Sequence, residues 1–273
     1  MTELDLHGLG LGTWENTEPD QCAESVRTSL ETGYRHVDTA QAYENEESVG
    51  EGIAAASVPR EEVFLATKVD TPNLVGEDVL ATTRESLEKL GTEYLDLLYV
   101  HWPLDAYDAE DMLAAFQQLY DEGTIRHIGV SNFAPRHLEE ARAVLDAPVF
   151  ANQVEMHPYL QQTELREYAA EHGHHVVAYS PLARTALFDD PVLSDIADKH
   201  HASVAQVSLA WLLSLSLDGV AAIPKATGAE HIRDNWGAYD VDLDDKDLDR
   251  IADLDRGQRE VNFGLRPGTT ETD

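Results

Sequence analysis

The sequence predicts a (β/α)8 TIM barrel formed by a single α/β domain over residues 1–273. Short apolar segments alternate with amphipathic ones along the whole chain, and the apolar segments have the composition of parallel strands that are buried on both faces. About 250 residues is the usual length of such a barrel. No linker rich in proline, glycine or serine divides the chain. Together these observations favour one barrel over two domains.

Eight segments rich in Val, Ile, Leu, Phe and Tyr are predicted as the strands. They are residues 8–13, 35–39, 63–68, 94–101, 126–132, 149–155, 175–180 and 219–225. The predicted helices between them include residues 19–33, 76–91, 108–123, 134–145, 162–173 and 203–215. Several of these segments end at a glycine, as helices often do.

A doubly wound sheet is the alternative fold. It usually has fewer strands and a glycine-rich first turn of the form G-x-G-x-x-G. The segment "GLGLG" has the form G-x-G-x-G and is followed by a loop rather than by a helix. As a dinucleotide-binding fingerprint it is therefore rejected.

The chain is strongly acidic. It has 52 Asp and Glu against 19 Lys and Arg, a formal net charge of −33 and a pI near 4.4. Since the acids are scattered over a pattern that can fold, they indicate a solvated acidic surface. The like charges on such a surface repel one another in dilute buffer. Salt of about 1 M screens this repulsion because the Debye length falls to about 3 Å. We therefore expect a protein of a salt-rich cytoplasm, with an acidic mesophilic enzyme as the alternative.

The same charge disfavours nucleic acid as a partner, because its phosphates would be repelled. The longest mostly apolar run, residues 207–217, is shorter than the roughly 20 residues of a membrane span. No signal peptide is visible at the start of the sequence. One cysteine, Cys22, excludes an internal disulfide. We expect a cytoplasmic protein that does not associate with membranes.

Polar and ionisable side chains stand at the carboxyl ends of the predicted strands, where such barrels carry their active sites. Since these ends meet at one mouth, we expect the side chains to converge. They are Asp38, Lys68, His101, Ser131, Asn132, Gln153, Tyr179, Ser180 and Lys225.

Four residues suit proton transfer to or from a carbonyl oxygen. A free tyrosine has a pKa of about 10, which is high for an acid at neutral pH. A lysine cation nearby lowers that value, so Lys68, held in place by Asp38, predicts a lowered pKa for Tyr43. His101 is a donor that can orient the substrate oxygen. The alternative is a salt-bridged Lys68–Asp38 pair at the barrel rim, with Tyr43 and His101 as bystanders.

Eight segments resemble the aldo-keto reductase family, in order and with matching spacing. They are "GLGTW", "GYRHVDTAQAYENEESVGEGI", "VFLATKV", "YLDLLYVHWP", "IRHIGVSNF", "NQVEMHPYL", "VVAYSPLA" and "AAIPKATGAEHIRDN". The chain resembles a prokaryotic-type, halophilic member of that family over nearly its whole length. The resemblance implies NAD(P)H-dependent carbonyl reduction on a (β/α)8 barrel that is often monomeric, with Asp38, Tyr43, Lys68 and His101 as the catalytic tetrad.

The resemblance also implies contacts with the cofactor. Ser131, Asn132 and Gln153 match residues that hydrogen bond to the nicotinamide carboxamide, and Tyr179 matches the aromatic residue that stacks on the nicotinamide. The other cofactor-binding candidates implied by the resemblance are Gly12, Thr13, Ser180, Leu182, Lys225, Thr227, His231 and Asn235.

The segment "IPKATGAEHIRDN" matches the site that binds the adenosine 2′-phosphate in relatives that use NADPH. A helix N-terminus and nearby cations suit a phosphate, and Lys225 fits the family pattern. The family's usual phosphate-binding arginine is replaced by His231, and a neutral imidazole lacks the permanent charge and the bidentate fork of a guanidinium. We expect NADP(H) to be slightly favoured and NAD(H) to be usable.

The substrate pocket is expected to be open. Trp14 and Trp102 match its apolar walls in the family, with packing of the barrel rim as the alternative. About seven residues precede "GLGLGTW", so we expect the family's N-terminal hairpin to be reduced or absent. The loop "WPLDAYDAED" and the tail after "LDRGQR" are short. These features favour small aldehydes, ketones or sugar-derived carbonyls over a steroid-sized substrate.

Three other signals are set aside. The histidines of "EHGHH" and "KHH" are interpreted as surface residues on the side of the barrel opposite to the tetrad, and not as a metal site. The stretch "DLDDKDLDRIAD" lacks the glycine and glutamate of a calcium loop and is interpreted as a capped acidic helix. Cys22 is interpreted as an apolar filler of the first helix.

The sequence thus predicts an NAD(P)H-dependent oxidoreductase that reduces small aldehydes and ketones or catalyses the reverse oxidation, with Tyr43 as the proton donor. One alternative is a redox-sensing regulatory subunit that binds the cofactor and turns over slowly. Another is a lyase with Lys68 as a Schiff-base nucleophile, which conflicts with pairing to Asp38 because that pairing keeps the lysine protonated.

Overall fold

The strands form one parallel sheet that closes into a barrel. The structure, a computed structural model, describes residues 6, 8–104 and 107–261. The strands are β1 (Gly8–Leu9), β2 (Leu11–Gly12), β3 (His36–Asp38), β4 (Phe64–Val69), β5 (Leu95–Val100), β6 (Ile125–Ser131), β7 (Val149–Glu155), β8 (His175–Tyr179) and β9 (Val220–Ala222). They pair in the order β1-β9-β8-β7-β6-β5-β4-β3-β2.

The first segment of the chain closes the barrel. β1 pairs with β9 and β2 pairs with β3, and only Gly10 separates β1 from β2. The Gly10 N–H donates to the Ala222 carbonyl (2.8 Å). A Cβ at Gly10 would lie 2.5 Å from His36 Nδ1, so the close approach requires a glycine. The predicted barrel is confirmed, with the predicted strand 8–13 divided in two.

Helices cover the outside of the strands. They are α1 (Pro19–Thr32), α2 (Glu46–Ala55), α3 (Gly76–Leu90), α4 (Ala109–Asp121), α5 (Pro135–Val144), α6 (Thr163–His172), α7 (Pro191–His200), α8 (Val204–Ser214), α9 (Ala229–Trp236) and α10 (Asp245–Ala252). The capped acidic helix predicted near the end of the chain is confirmed as α10, where the Asp244 carboxylate accepts from the Asp247 N–H (3.0 Å).

Two helices were absent from the predicted set, for different reasons. The α7 signals are present, since Pro191 stands in its first turn and the Asp190 carboxylate caps it, but they lie within an acidic stretch. In α2, two glycines disfavour a helix by propensity. They are explained by packing, because a Cβ at Gly50 would lie 2.6 Å from the Leu90 carbonyl oxygen and one at Gly52 would lie 2.5 Å from that of Ala23.

Alternation along the strands gives the barrel two apolar layers. One face of each strand packs against the helices and contributes to the larger core. The other face fills the barrel interior, as expected for a TIM barrel. The interior cluster is formed by Leu6, Phe64, Ala66, Leu97, Tyr99, Ala151, Val177, Ala221 and Ile223. The polar residues at the strand ends lie next to this packed layer, at the mouth of the barrel.

The interpretation of Cys22 is confirmed, and that of the histidine clusters is confirmed only in part. Cys22 is fully buried and burial raises the pKa of its thiol to about 11, which confirms an apolar filler. The surface interpretation is wrong for His174, which is buried and lies 3.0 Å from Arg142 Nη2 through its Nδ1. Within the described ranges no group of three or more His, Cys, Asp and Glu is placed to hold a metal ion.

Two further expectations concern the ends of the chain and its helices. The reduced N-terminal hairpin falls on residues 1–7, of which only Leu6 is among the described residues. Among the helices that the structure describes, none has both the length and the apolar character needed to cross a membrane.

We predict that acid destabilises the fold through His36. This residue is buried, its Nε2 has no hydrogen-bond partner within the described part of the chain, and burial lowers the pKa of its imidazole to about 4. Between this value and the ordinary 6.5, the unfolded chain binds the extra proton, so stability falls as the pH drops through that window.

Urea unfolding at pH 7 and pH 5 measures this effect. Wild type should lose about 1–2 kcal/mol more than His36→Leu between the two pH values. The exposed His201 provides the control, because His201→Asn should retain the wild-type pH dependence. Equal losses in wild type and His36→Leu would show that His36 does not carry the effect.

Candidate active site

Strand alternation directs the polar strand ends into the barrel mouth. In β4, Phe64 and Ala66 belong to the interior cluster, and the next side chain on the same face is Lys68. β5 follows the same rule, with Leu97 and Tyr99 in the interior and His101 just beyond the strand. The residues that continue the inward faces in this way are Asp38, Lys68, His101, Ser131, Gln153 and Tyr179. The convergence predicted from the sequence is confirmed.

A buried ion pair lies at the base of the mouth. Lys68 Nζ donates to Asp38 Oδ1, and both side chains are only 1% exposed. Lys68 Nζ also donates to the Thr39 carbonyl (2.7 Å), and Gln153 Nε2 donates to Asp38 Oδ2 (2.7 Å). Burial lowers the pKa of Lys68, while the Asp38 charge and hydrogen bond oppose the shift. The lysine is thus held at one position and points toward the mouth.

Tyr43 lies at the edge of this pair. It ends a 3-10 turn (Gln41–Tyr43), and Lys68 Nζ lies 5.0 Å from the centre of its ring. The expectation of a lowered tyrosine pKa is wrong here: loss of hydration raises the pKa of Tyr43 well above its ordinary value, and the Asp38 charge adds to the rise. Lys68 is paired with Asp38 and hydrogen bonded to Thr39, and the rise caused by burial outweighs its influence on the pKa of Tyr43. Tyr43 is therefore a protonated phenol at neutral pH.

His101 stands beside Tyr43 at the mouth. The two ring centres are 5.8 Å apart and the planes meet at 76°. Burial lowers the pKa of His101 to about 3, and the Lys68 charge contributes to the decrease. The imidazole is therefore neutral at physiological pH and offers one N–H donor.

A second hydrogen-bonded group lies across the mouth from the ion pair. Ser131 Oγ donates to the Gln153 carbonyl (2.8 Å), and Asn132 Nδ2 donates to Ser131 Oγ (3.0 Å) and to the His101 carbonyl (3.3 Å). The Tyr179 hydroxyl donates to Asn132 Oδ1 (2.9 Å). Amide, hydroxyl and ring groups from β6, β7 and β8 are thus held together by their own hydrogen bonds.

These side chains surround a cavity of about 490 Å³. Three of the four tetrad candidates line it, namely Asp38, Tyr43 and His101, whereas the buried Lys68 does not. Trp14 and Trp102 are both in the wall, as the pocket interpretation requires. The cofactor candidates in the wall are Gly12, Thr13, Ser131, Asn132, Gln153, Tyr179, Ser180 and Lys225.

Four cofactor candidates lie outside the wall of this cavity. Leu182 is partly buried against the outer core. Thr227 lies just before α9, and His231 and Asn235 lie within it, so these three are separated from the mouth by the segment that follows Lys225. His231 is exposed and Asn235 is buried. If they contact a ligand, that ligand extends from the cavity along this segment.

The structure adds wall residues that the sequence analysis missed. Asp70 and Thr71 directly follow β4, so the rule of polar strand ends would have identified them. Arg184, in the loop after β8, has its guanidinium carbon 4.3 Å from the Trp14 ring centre. Val261 reaches the wall from the end of the described chain, and nothing in the local sequence indicates that position.

The chain belongs to the aldo/keto reductase family, whose matched relatives are oxidoreductases. The sequence profile described as "Aldo/keto reductase family" matches residues 8–256. The chain is 42% identical over 257 residues to the glyoxal reductase of Bacillus subtilis (strain 168), covering 94% of this chain and 91% of that protein. It is 40% identical over 268 residues to the methylglyoxal reductase DkgB of Salmonella typhi, covering 97% and 99%.

Solved structures agree with the family. A putative 2,5-diketo-D-gluconic acid reductase B superposes with a TM-score of 0.87 at 36% identity, over 91% of this chain and 88% of that one. MGS-M4, an aldo-keto reductase from a Medee basin deep-sea metagenome library, superposes with a TM-score of 0.87 at 35% identity, over 92% of both chains.

The lowered pKa of His101 and the raised pKa of Tyr43 predict a flat pH profile for a carbonyl reduction carried out at this cavity. His101 is neutral above its pKa of about 3, and Tyr43 stays protonated beyond its ordinary value. Neither group titrates between pH 5 and pH 9 by these shifts, so kcat/KM should change less than about twofold across that range. Measurement with a substrate that does not ionise tests this. An inflection near pH 6.5 would contradict the neutral state of His101.

Proposed function

We propose that this protein reduces small aldehydes and ketones by hydride transfer from NAD(P)H, with Tyr43 as the proton donor. One observation carries the proposal: Tyr43 is held as a phenol at the cavity wall, between the buried Lys68 charge and the neutral His101. This arrangement favours an active tetrad over the alternative of a rim salt bridge with bystanders.

In the proposed mechanism, His101 and Tyr43 present N–H and O–H donors to the carbonyl oxygen of the substrate. The Tyr43 hydroxyl gives its proton to that oxygen as negative charge develops there. Lys68 stabilises the phenolate that Tyr43 becomes, and Asp38 keeps Lys68 charged and in place. The bound nicotinamide cofactor supplies the hydride that the carbonyl carbon receives. In the reverse direction the Tyr43 phenolate accepts the proton of an alcohol.

The polar group at the second side of the mouth suits a nicotinamide carboxamide. Ser131 and Asn132 offer hydroxyl and amide groups, and Tyr179 offers a ring that lines the cavity. Gln153 already donates one N–H to Asp38 (2.7 Å), so its amide oxygen and its second N–H remain for a carboxamide. These residues of the chain match the donors and acceptors of the group.

We propose that NADP(H) is slightly favoured and that NAD(H) is used as well. Lys225 is an exposed cation in the cavity wall and suits a phosphate. Two residues of the first turn of α9 oppose a strong preference, because His231 replaces an arginine and Glu230 adds a negative charge at a helix N-terminus. Parallel assays with both cofactors measure the balance.

Small dicarbonyl compounds are the proposed substrates of first choice. The relatives at about 40% identity are named glyoxal and methylglyoxal reductases. The cavity wall combines Trp14 and Trp102 with polar groups such as Asp70 and Thr71. Such a wall suits a small polar carbonyl compound beside an aromatic surface.

We also propose that the protein works in a salt-rich cytoplasm. Its net charge of −33 must be screened if the folded state is to avoid strong self-repulsion. Like charges lie close together in the groove between α2 and α3. Exposed Glu47 and Glu85 line this groove, together with the cation of Lys89.

We predict that Tyr43→Phe abolishes reduction of glyoxal and methylglyoxal. The variant keeps the ring and removes the donated proton, so kcat/KM should fall by at least about 100-fold. NADPH and NADH oxidation is followed in molar KCl, with thermal unfolding as the check that the variant folds. Retained activity would exclude Tyr43 as the donor. A folded wild type that binds cofactor and does not turn over would favour the regulatory-subunit alternative.

We predict that KCl raises the free energy of unfolding. Between about 0.1 M and about 2 M KCl, the Debye length falls severalfold and surface repulsion is screened. Urea unfolding should show a smaller salt effect for the double variant Glu47→Gln/Glu85→Gln, which should be more stable than wild type by about 1 kcal/mol at low salt. Lys89→Gln is the matched control and should increase the salt effect. A stability independent of KCl would contradict salt adaptation.

A further inference from the structure

The end of the described chain returns to the barrel mouth. The backbone N–H groups of Arg256 and Gln258 both donate to the Tyr159 carbonyl, at 3.2 Å and 3.0 Å. The Arg256 guanidinium carbon lies 3.5 Å from the centre of the Tyr159 ring. We call residues 256–261 the tail segment. It lies against the turn that follows β7.

Glu155, the last residue of β7, holds the far end of the tail segment. Its side chain is fully buried. Its Oε1 accepts from the Glu260 N–H (2.6 Å) and its Oε2 from the Val261 N–H (3.1 Å). Arg259 Nη1 lies 3.7 Å from Oε2. His157 Nε2 also lies 3.1 Å from Oε1. Each carboxylate oxygen is thus hydrogen bonded to a backbone N–H of a segment more than 100 residues away in sequence.

The segment held by Glu155 borders the reaction cavity. Val261 is part of the cavity wall, whereas Glu155 is not. Tyr179 lies on the neighbouring strand, close to the Glu155 carboxylate. Burial raises the pKa of the Tyr179 hydroxyl, the Glu155 charge adds to the rise and Arg259 opposes it. The carboxylate thus lies between the tail segment and the wall on the Tyr179 side.

We propose that Glu155 is a positioning residue that seats residues 259–261 as a wall of the substrate pocket and thereby sets the affinity for carbonyl substrates larger than the small dicarbonyls. This inference rests on the proposed carbonyl reduction. Substrates that reach Val261 gain apolar contact only while the tail segment is seated, and glyoxal-sized substrates at Tyr43 do not need it.

Glu155→Gln is the variant that separates anchoring from packing. It keeps the size of the side chain and leaves one acceptor oxygen, while its NH2 group faces a backbone N–H that needs an acceptor. One of the two hydrogen bonds is thereby lost, and the other is no longer charge-assisted. Glu164→Gln is the matched control, because Glu164 is an exposed acid in the adjacent α6.

The first measurement does not require turnover. Trypsin cleaves after arginine, and cleavage after Arg259 requires the tail segment to leave Glu155. In cofactor-free protein, Glu155→Gln should be cleaved there about tenfold faster than wild type, as expected for a local opening made easier by about 1.4 kcal/mol. Glu164→Gln should match wild type. Equal rates in Glu155→Gln and wild type would overturn the anchoring role.

The second measurement compares KM with kcat for two substrates. For an aromatic aldehyde, Glu155→Gln should raise KM about fivefold with kcat unchanged, and for glyoxal neither constant should change. Val261→Ala should act in the same direction, and the double variant should show less than the product of the two effects. A uniform loss of kcat for both substrates would overturn the proposal. If wild type itself does not turn over, the proposed reductase fails, while the trypsin result still decides whether Glu155 is the anchor.

Discussion

The buried ion pair between Lys68 and Asp38 is the constraint on which the site depends. Two charges that are each 1% exposed lose their hydration, and their attraction compensates for this only when the remaining donors and acceptors are also satisfied. The Thr39 carbonyl and the Gln153 amide do so here. The ion pair is therefore stable only if the strands β3, β4 and β7 keep their relative positions.

The same constraint extends outward to the loop that carries Tyr43. The Thr39 hydroxyl donates to Asn45 Oδ1 (2.8 Å), and Asn45 Nδ2 donates to the Thr13 carbonyl (2.9 Å). Thr13 in turn donates through its hydroxyl to the Asp38 carbonyl (3.0 Å). The loop after β3 is thus tied at both ends to the residues around the ion pair, which fixes the distance from Tyr43 to Lys68 without a direct bond between their side chains.

The sequence predicts the features of the fold and the site that depend on local residue patterns. Apolar segments with polar ends identify the strands, and their alternation is enough to bring Asp38, Lys68 and Gln153 to one mouth. Properties that depend on distant packing were missed. The raised pKa of Tyr43 follows from burial in the assembled site, and the place of Val261 follows from Glu155 far away in sequence. The glycines of α2 serve close packing against neighbouring helices, which helix propensity does not describe.

The acidity of the chain is compatible with the proposed binding of a phosphate-bearing cofactor for a physical reason. In dilute buffer a net charge of −33 would repel such a ligand over many ångströms, but in molar salt the Debye length of about 3 Å limits electrostatics to groups in contact. Under those conditions affinity depends on the cations at the mouth itself, such as Lys225 and Arg184, and hardly on the acidic surface around them. The proposed salt adaptation is therefore compatible with the proposed cofactor, provided that the few cations facing the cavity are retained.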